Sequence, residues 1–447
     1  MKNFILNFLF TKTPLVFLNQ SIWRDEAFTY FMTKKNLFEI LKLTAADFNP
    51  PFYYLLIKTW IKFFGYSEIS LRTFSLIFFW GVIYIAFLFF QNIFKVSIKK
   101  NLLFLIMFLT NPVLVYYAFE ARMYTLFAFL AFFSYYFFIK KKQLPYIISS
   151  IIGLHTHYFM VLIVITQMIY CLITKTLKKQ KKPFFLLFYL YLPWIIFVIF
   201  INKNWGDNFW ITKPKEISFL NFLGAFYFGY EPNIFSNNQL LTRILKIIQN
   251  LSNFLFIFFA FFFISKKNQG LYKDKHLINF LLWGLISPLI IFLFSLIKPL
   301  FLSRYLIPFI IGLIILITYL LNKINNRLFL LFFVFIMVFL SIQYQKYQIK
   351  YRLKKNTRLV VKEIKSLATK DDLIYVEDIL DYFPVAYYFG EEKTYILYSS
   401  ENTYDKIPHY IGKVLIPPDK IRSTLTIYPK KTFILKTNGD YEIQAVY

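Results

Sequence analysis

The sequence has very little of several residues on which particular classes of protein depend. Cys171 is its single cysteine, which excludes an internal disulfide framework and any metal site built from several cysteines. Glycine is scarce, with 12 in 447 residues, and no glycine-rich phosphate-binding loop is present. Charged residues make up only 17% of the chain, and the acidic ones are the rarer kind, at 23 against 51 basic residues. A polar, soluble chain does not have this composition.

Apolar and aromatic residues take the place of the missing ones. The chain is 58% hydrophobic and 22% aromatic, with a mean hydropathy of +0.52, which places it among membrane proteins. Its net charge of +28 first suggests a nucleic-acid partner. The lysines, however, cluster in short connections between apolar runs, and this distribution fits the positive-inside rule of membrane proteins. We therefore expect the partner to be a lipid bilayer and not a nucleic acid.

Eleven apolar runs are long enough to cross, or nearly cross, a bilayer. Lys12 and Pro14 interrupt the first run, and the fifth is short. The pattern predicts an all-α polytopic membrane protein with about eleven transmembrane helices. The predicted spans are 3–20, 69–91, 101–118, 123–139, 144–154, 158–173, 184–201, 251–265, 277–297, 304–321 and 327–343.

Alternate connections between these spans are rich in lysine, which predicts the orientation of the chain. Lysine-rich connections stay in the cytoplasm. They are marked by Lys95, Lys99 and Lys100; Lys140, Lys141 and Lys142; Lys175, Lys178, Lys179, Lys181 and Lys182; Lys266, Lys267, Lys273 and Lys275; and Lys323 with Arg327. The remaining connections, which are expected outside the cytoplasm, are the loops 21–68 and 202–250, the turns at Glu120–Arg122 and His155–His157, and the tail.

The composition predicts two domains. Residues 1–343 form the transmembrane domain, and within its first outer loop the apolar segment 52–64, with Lys58 and Lys62 one turn apart, is typical of an interfacial helix. Residues 344–447 have a mixed charge and form a small extracytoplasmic α/β domain. There, a helix is expected near 362–368, and strands are expected at DLIYV, TYILYS and TFILKT.

Charged residues gather on the predicted outer face, beginning with the adjacent Arg24, Asp25 and Glu26 in SIWRDEAFTY. A solvated loop end is one interpretation of this stretch. The other is a reaction site, because guanidinium groups bind phosphate bidentately and a carboxylate suits a general base. The arginines of this face are Arg24, Arg72, Arg122 and Arg304, and its carboxylates are Asp25, Glu26, Asp47 and Glu120. Together they fit a lipid phosphate as the leaving group and a hydroxyl as the nucleophile.

Two histidines on the same face, His155 and His157, leave three interpretations open. They could hold a divalent metal together with Asp25 or Glu120, line a polar cavity, or be ordinary interfacial residues. A metal is not required if arginines neutralise the leaving phosphate.

Five motifs in order resemble the GT-C superfamily of polyprenyl-phosphate-sugar glycosyltransferases. They are SIWRDEAFTY, DFNPPFYYLLIKTWIKFFGYSEISLR, YYAFEARMYTL, HTHYF and LSRYLIP, and they cover about residues 1–345. The branch they resemble most is that of the protein O-mannosyltransferases and aminoarabinose-transferase-like proteins, which are similar to glycosyltransferase family 39.

The resemblance implies transfer of a hexose or pentose, mannose among them, from a polyprenyl phosphate to a hydroxyl. The reaction would invert the anomeric carbon on the extracytoplasmic face of the cell membrane, need no cofactor, and leave protein, glycan and lipid acceptors open. Asp25 matches the family's catalytic carboxylate, with Glu26 beside it, while Arg122 and Arg304 match the contacts to the donor phosphate. Further candidates near the donor are Arg72, which would also bind its phosphate, and Arg24, Asp47, Glu120, Tyr124, His155, His157 and Tyr305.

A transporter or flippase of lipid-linked sugars is the main alternative, since it would need the same basic headgroup site. Such proteins place ionisable residues near the bilayer midplane or contain internal repeats. Here the charges gather at one face and no repeat is evident, which favours the enzyme. A scaffold protein would leave the charged face unexplained.

Overall fold

The computed structural model describes residues 2–201, 211–214, 217, 221–229, 239–265, 274–400 and 402–446. The chain divides into two compact units. The first unit comprises Met1–Phe17, Arg72–Ile195 and Ile211–Arg352. The second comprises Leu18–Leu71, Ile196–Trp210 and Leu353–Tyr447. The first outer loop thus belongs to the same compact unit as the tail, while the predicted domain boundary at 343/344 stays a prediction.

The first unit is helical, because its long apolar runs carry few residues that interrupt a helix. Two helices, α5 and α11, are shared with the second unit. The helices are α1 (Lys2–Lys12), α5 (Glu68–Phe89), α6 (Ile98–Thr110), α7 (Pro112–Ala118), α8 (Tyr124–Ile139), α9 (Gln143–Leu154), α10 (Met160–Ile173), α11 (Leu177–Ile201), α12 (Phe222–Phe228), α13 (Gln239–Ser265), α14 (Lys275–Leu281), α15 (Ser287–Ser295), α16 (Ser303–Asn322) and α17 (Arg327–Tyr351). Single π-helical segments, Phe90–Phe94 and Leu282–Ile286, continue α5 and join α14 to α15.

Among the described residues, six helical stretches are long and apolar enough to cross a membrane. They are Glu68–Phe94, Gln180–Ile201, Leu240–Phe261, Lys275–Ser295, Ser303–Asn322 and Arg327–Tyr351. The helices α6 and α7 form a seventh candidate, bent by 65° where Asn111 caps the helix that begins at Pro112. A multi-pass membrane protein is confirmed, but the predicted count of eleven spans is not.

Three of the predicted spans fall short in length, and the first one is broken. α8, α9 and α10 have 16, 12 and 14 residues, fewer than a perpendicular crossing needs. The predicted span 3–20 is instead α1 followed by a 3₁₀ turn, Pro14–Asn19, because proline lacks the N–H that would continue the helix.

The predicted loop 202–250 also differs from expectation where it is described. It contains α12, and α13 begins at Gln239, twelve residues before the predicted span at 251. Residues 202–210 and 230–238 of this loop lie outside the described residues.

The core of the first unit depends on a close approach of two backbones. Trp283 stacks on Tyr135 with 3.8 Å between ring centroids. Next to it, a Cβ added at Gly284 would lie 2.4 Å from the carbonyl carbon of Gly312 on α16. Side-chain-free contacts of this kind let membrane helices pack closely. Ser134, the residue before Tyr135, is hydrogen-bonded to Ser150 and Gln167, and this group joins α8, α9 and α10.

The second unit combines short helices with a five-stranded sheet. Its helices are α2 (Arg24–Lys34), α3 (Leu37–Ala45), α4 (Phe52–Phe64), α18 (Thr357–Leu367) and α19 (Tyr382–Phe389). The strands are β1 (Leu373–Val376), β2 (Thr394–Leu397), β3 (Ile421–Arg422), β4 (Thr432–Leu435) and β5 (Tyr441–Gln444). They lie in the order β3-β2-β1-β4-β5, parallel except for β5. The predicted α/β tail and its three predicted strands are confirmed as β1, β2 and β4.

Within the second unit, helix α2 is held by contacts with α19 of the tail and with α4 of the first loop. Phe28 packs edge-on against Phe383 of α19 at 5.8 Å, and Tyr30 packs against Tyr387 at 5.0 Å. The ammonium group of Lys58 on α4 donates hydrogen bonds to the carbonyl oxygens of Thr33 and Lys35, at 2.6 and 2.7 Å, and so caps the carboxyl end of α2. The middle and the carboxyl end of α2 are thereby held in a defined position.

Candidate functional site

The predicted catalytic carboxylates occupy the first turn of α2, where the positive end of the helix dipole stabilises acidic side chains. Arg24 opens the helix, and its Nε donates to Asp25 Oδ1 at 3.0 Å. Both side chains are partly exposed, Arg24 at 19% and Asp25 at 16%. Asp25 is thus accessible and has a guanidinium group beside it.

Glu26 has a different environment from its neighbour, because its side chain is fully buried. Its Oε2 accepts from Lys354 Nζ at 2.9 Å and from the Trp23 backbone N–H at 3.4 Å, which caps the helix. Lys354 is itself only 8% exposed and lies over the Trp23 ring, 5.6 Å from its centroid. The charge of Glu26 is therefore compensated inside the protein.

Residues at the start of α18 and on α19 hold the segment that leads into α2. Ser21 Oγ donates to the side-chain oxygen of Asn356 at 3.0 Å and accepts from the backbone N–H of Arg358 at 3.1 Å. Arg358 also forms an ion pair with Glu68 at 3.3 Å. The backbone N–H of Ile22 donates to the hydroxyl of a tail tyrosine at 2.7 Å. The tail thus has a role that its sequence did not indicate.

A second group of predicted residues meets in the first unit, and we call it the guanidinium cluster: Arg122, Arg304, His157, Tyr124 and Tyr305. Arg122 and Arg304 are 6% and 8% exposed. The Arg304 guanidinium carbon lies 5.9 Å from the Tyr124 ring centroid and 5.8 Å from that of Tyr305. Both guanidinium groups act electrostatically on the His157 imidazole. The cluster therefore brings two guanidinium groups and an imidazole together in a buried place.

His157 lies at the centre of the guanidinium cluster with its ring fixed by aromatic neighbours. The imidazole stacks on Phe127 at 4.6 Å and lies 5.1 Å from the Tyr305 ring. Its Nδ1 accepts a hydrogen bond from the Phe159 backbone N–H at 3.1 Å. Burial, with added repulsion from Arg122 and Arg304, lowers the pKa of His157 to about 3. The imidazole is thus neutral at physiological pH.

The two histidines face different neighbours, although the sequence places them only two residues apart. His155 Nδ1 lies 2.9 Å from the carbonyl oxygen of Ile151, and its ring meets Tyr191 of α11 edge-on at 5.3 Å. Over the described part of the chain, no group of three His, Cys, Asp or Glu side chains is arranged to hold a metal ion. The predicted metal alternative gains no set of ligands from these residues.

The other predicted candidates have separate positions. Arg72, on α5, is fully buried, and Ser75 one turn later donates to the carbonyl oxygen of Arg122 at 3.4 Å. Glu120 is 2% exposed, and its carbonyl oxygen accepts from the Arg122 N–H at 2.7 Å in the same turn. Asp47 is partly buried just after α3, in the second unit. The arginine-bearing turn is therefore joined to α5.

Two further basic residues escaped the sequence prediction. Lys354 is the partner of Glu26, and Arg352 lies over the Tyr116 ring in the first unit with its guanidinium carbon 3.3 Å from the centroid. Arginine is rare here, with 9 against 42 lysines, and this rarity is a sequence signal that could have drawn attention to Arg352. Nothing set Lys354 apart from the other lysines.

Two solved structures share the fold of this chain over nearly its whole length. They are ArnT from Cupriavidus metallidurans in the apo state, with a TM-score of 0.58 and 10% identity, and ArnT from the same organism bound to undecaprenyl phosphate, with a TM-score of 0.57 and 11% identity. Each match covers 97% of this chain and 93% of the other. No family model and no curated protein sequence matches. This chain therefore has an ArnT-like fold, while the predicted GT-C superfamily and its branch stay predictions.

Proposed function

We propose that this chain is an integral membrane glycosyltransferase that moves a sugar from a polyprenyl-phosphate donor to an acceptor hydroxyl. The observation that carries the proposal is the fold, which is similar over 97% of the chain to that of ArnT bound to undecaprenyl phosphate. A lipid-linked donor also suits a chain with six membrane-length apolar helices in its described part. The sugar, hexose or pentose, is left to the donor panel below.

The donor phosphate is assigned to Arg122 and Arg304. Guanidinium groups bind phosphate oxygens bidentately and keep their charge at any physiological pH. Both lie in the guanidinium cluster around His157, where the low dielectric strengthens their attraction for an anion. Arg72, fully buried on α5, is the third candidate for this role. As the bond between the anomeric carbon and the phosphate oxygen breaks, these groups would stabilise the charge of the departing polyprenyl phosphate.

The general base is assigned to Asp25. Its carboxylate would take the proton of the acceptor hydroxyl while the hydroxyl oxygen attacks the anomeric carbon. Glu26 is less suited to this step, because Lys354 holds its buried carboxylate at 2.9 Å. We therefore assign Glu26 to positioning the first turn of α2, and Arg24 to orienting the Asp25 side chain through their 3.0 Å hydrogen bond.

A single displacement by the acceptor would invert the anomeric carbon. The alternation of lysine-rich connections supports a reaction on the extracytoplasmic face of the cell membrane. The proposed proton transfer and phosphate binding use side chains of this chain alone, so the scheme does not require a metal cofactor. Protein, glycan and lipid hydroxyls are all acceptors of suitable chemistry.

The experiment compares membranes that contain wild type, Asp25→Asn, or the control Asp371→Asn, which removes an exposed carboxylate. Each receives a panel of polyprenyl-phosphate hexoses and pentoses, with and without cell extract as the source of acceptors. The release of free polyprenyl phosphate is measured. We expect release by wild type and Asp371→Asn from one donor class, and a loss of at least a hundredfold in Asp25→Asn, as for a removed general base.

Two other results would count against the proposal. Equal release by Asp25→Asn would remove Asp25 from the reaction. Binding or flipping of a donor without release of polyprenyl phosphate would favour the transporter.

A further inference from the structure

His157 carries a buried hydrogen-bond donor that the described part of the protein leaves unused. Its side chain is 3% exposed, and its Nε2 has no hydrogen-bond partner in the structure. Burying a polar group without a partner costs about 1–3 kcal/mol, so each such group calls for an explanation. A ligand that brings an acceptor to Nε2 would supply one.

The tautomer of His157 follows from its other nitrogen. Nδ1 accepts from the Phe159 backbone N–H at 3.1 Å, and it therefore carries no hydrogen in the neutral ring. The hydrogen of a neutral imidazole must then be on Nε2, which makes this atom a donor. The missing partner is thus an acceptor and not another N–H.

The surroundings of His157 select the charge of that acceptor. Arg122 and Arg304 both place positive charge near the imidazole, which disfavours a cation and attracts an anion. Phe127 stacks on one face of the ring at 4.6 Å, and Tyr305 and Phe159 lie 5.1 and 5.7 Å away. These rings hold the imidazole in its orientation.

We infer that His157 is a neutral hydrogen-bond donor, beside the arginines of the proposed phosphate site, to the phosphate monoester of the lipid carrier. This inference rests on the proposed function and adds a neutral donor to the charged ones. A neutral donor has a distinct use here, because it binds the phosphate without adding a further positive charge that would hold the product too tightly after transfer.

The test uses detergent-purified full-length protein and measures the dissociation constant of undecaprenyl phosphate, with undecaprenol and inorganic phosphate as separate ligands. The variants are His157→Phe, which keeps an aromatic ring but has no donor, and His157→Gln, whose amide nitrogen reaches the position of Nε2. His409→Phe, in the second unit, makes the same change elsewhere. We expect His157→Phe to weaken undecaprenyl phosphate binding about tenfold to a hundredfold, as for one hydrogen bond to a charged group.

The other arms identify what is recognised. His157→Gln and His409→Phe should bind undecaprenyl phosphate within about threefold of wild type, and undecaprenol should bind His157→Phe as it binds wild type. A similar loss for inorganic phosphate would assign the site to phosphate in general, whereas a loss confined to undecaprenyl phosphate would assign it to the lipid headgroup. If His157→Phe does not fold, His157→Asn replaces it, because the asparagine amide is too short to reach the position of Nε2. His157→Asn should then bind undecaprenyl phosphate weakly, whereas His157→Gln should not.

Several outcomes would overturn the inference while leaving the proposed function intact. They are equal binding by His157→Phe and wild type, an equal loss for undecaprenol, or His157→Gln as weak as the variants without a donor. Failure of the wild type to bind undecaprenyl phosphate at all would instead count against both.

Discussion

Lys354 Nζ lies 2.9 Å from Glu26 Oε2, in a buried ion pair between residues 328 positions apart. The pair joins the first turn of α2 to the segment that precedes α18. Asp25 is the immediate neighbour of Glu26, so the position of the proposed base depends on a side chain of the tail. In the proposed reaction, Lys354 is thus a positioning residue that acts through Glu26.

Removing the lysine from this pair should destabilise the protein. Lys354→Met would leave the fully buried Glu26 carboxylate without its partner, which typically costs about 3–5 kcal/mol. The double variant Glu26→Gln/Lys354→Met should recover most of this loss, since it removes both charges together. Thermal unfolding of the purified protein in detergent measures both effects.

Activity separates positioning from plain stability in the same variants. Lys354→Arg keeps the charge and should retain turnover within about tenfold of wild type, whereas Lys354→Met should lower kcat more than it raises KM. Lys362→Met, which alters an exposed lysine on α18, is the control and should behave as wild type. Equal melting temperatures for Lys354→Met and Lys362→Met would show that the ion pair contributes nothing measurable.

The contact between Gly284 and Gly312 predicts a ranking of two substitutions. At Gly284 the new methyl group would meet backbone atoms at 2.4–2.5 Å, which cannot move without separating the helices. At Gly312 it would meet the Trp283 ring at 2.7 Å, and a side chain can shift. We expect both to be destabilising, Gly284→Ala by about 3 kcal/mol and Gly312→Ala by about 1–3 kcal/mol. Melting temperatures in one detergent test the order, and the reverse order would contradict this packing.

The neutral imidazole of His157 predicts a pH dependence of stability. Its pKa is about 3 in the folded protein, below the ordinary value of 6.5, so the unfolded chain binds a proton that the folded chain does not. Stability should therefore be intact above pH 6.5 and fall as the pH drops below it, by up to about 1.4 kcal/mol per pH unit.

The comparison with His157→Gln isolates this contribution. Arg122 and Arg304, which act on the ring, keep their charge over the whole range. Melting temperatures of both proteins between pH 4.5 and 8 should converge toward acid, because only the wild type loses stability through this group. Curves that remain parallel would mean that the pKa of His157 is the same in the folded and the unfolded chain.

Much of the fold was predictable because it follows from local patterns. Apolar runs of membrane length gave α5, α16 and α17, and alternation within short segments gave β1, β2 and β4. α13 was predicted too short, because Arg243 and Lys246 lower the hydropathy of its first turns without interrupting the helix. In these turns the low hydropathy argues against a membrane span, whereas the helix propensity of arginine and lysine allows the helix to continue.

The candidate site was predictable in its residue types but not in its contacts. Arg122, Arg304 and His157, which the motifs singled out, are all buried. The different neighbours of His155 and His157 depend on the turn between α9 and α10, whose geometry the identity of these two residues does not specify. The pair of Glu26 and Lys354 is a long-range choice of one lysine among 42, which no local pattern specifies.

Because the first loop and the tail belong to one unit, the contacts between them can form only late in translation. Glu26 leaves the ribosome 328 residues before Lys354, which at 5–20 residues per second is roughly 16 to 66 s earlier. Until then α2 lacks the partners that Ser21, Glu26 and Glu68 find in the tail. The first turn of α2, which carries the proposed base Asp25, therefore gains its tail contacts only after the membrane-length helices of the described residues have been made. A chain truncated before the tail would carry the residues of this turn without their arrangement.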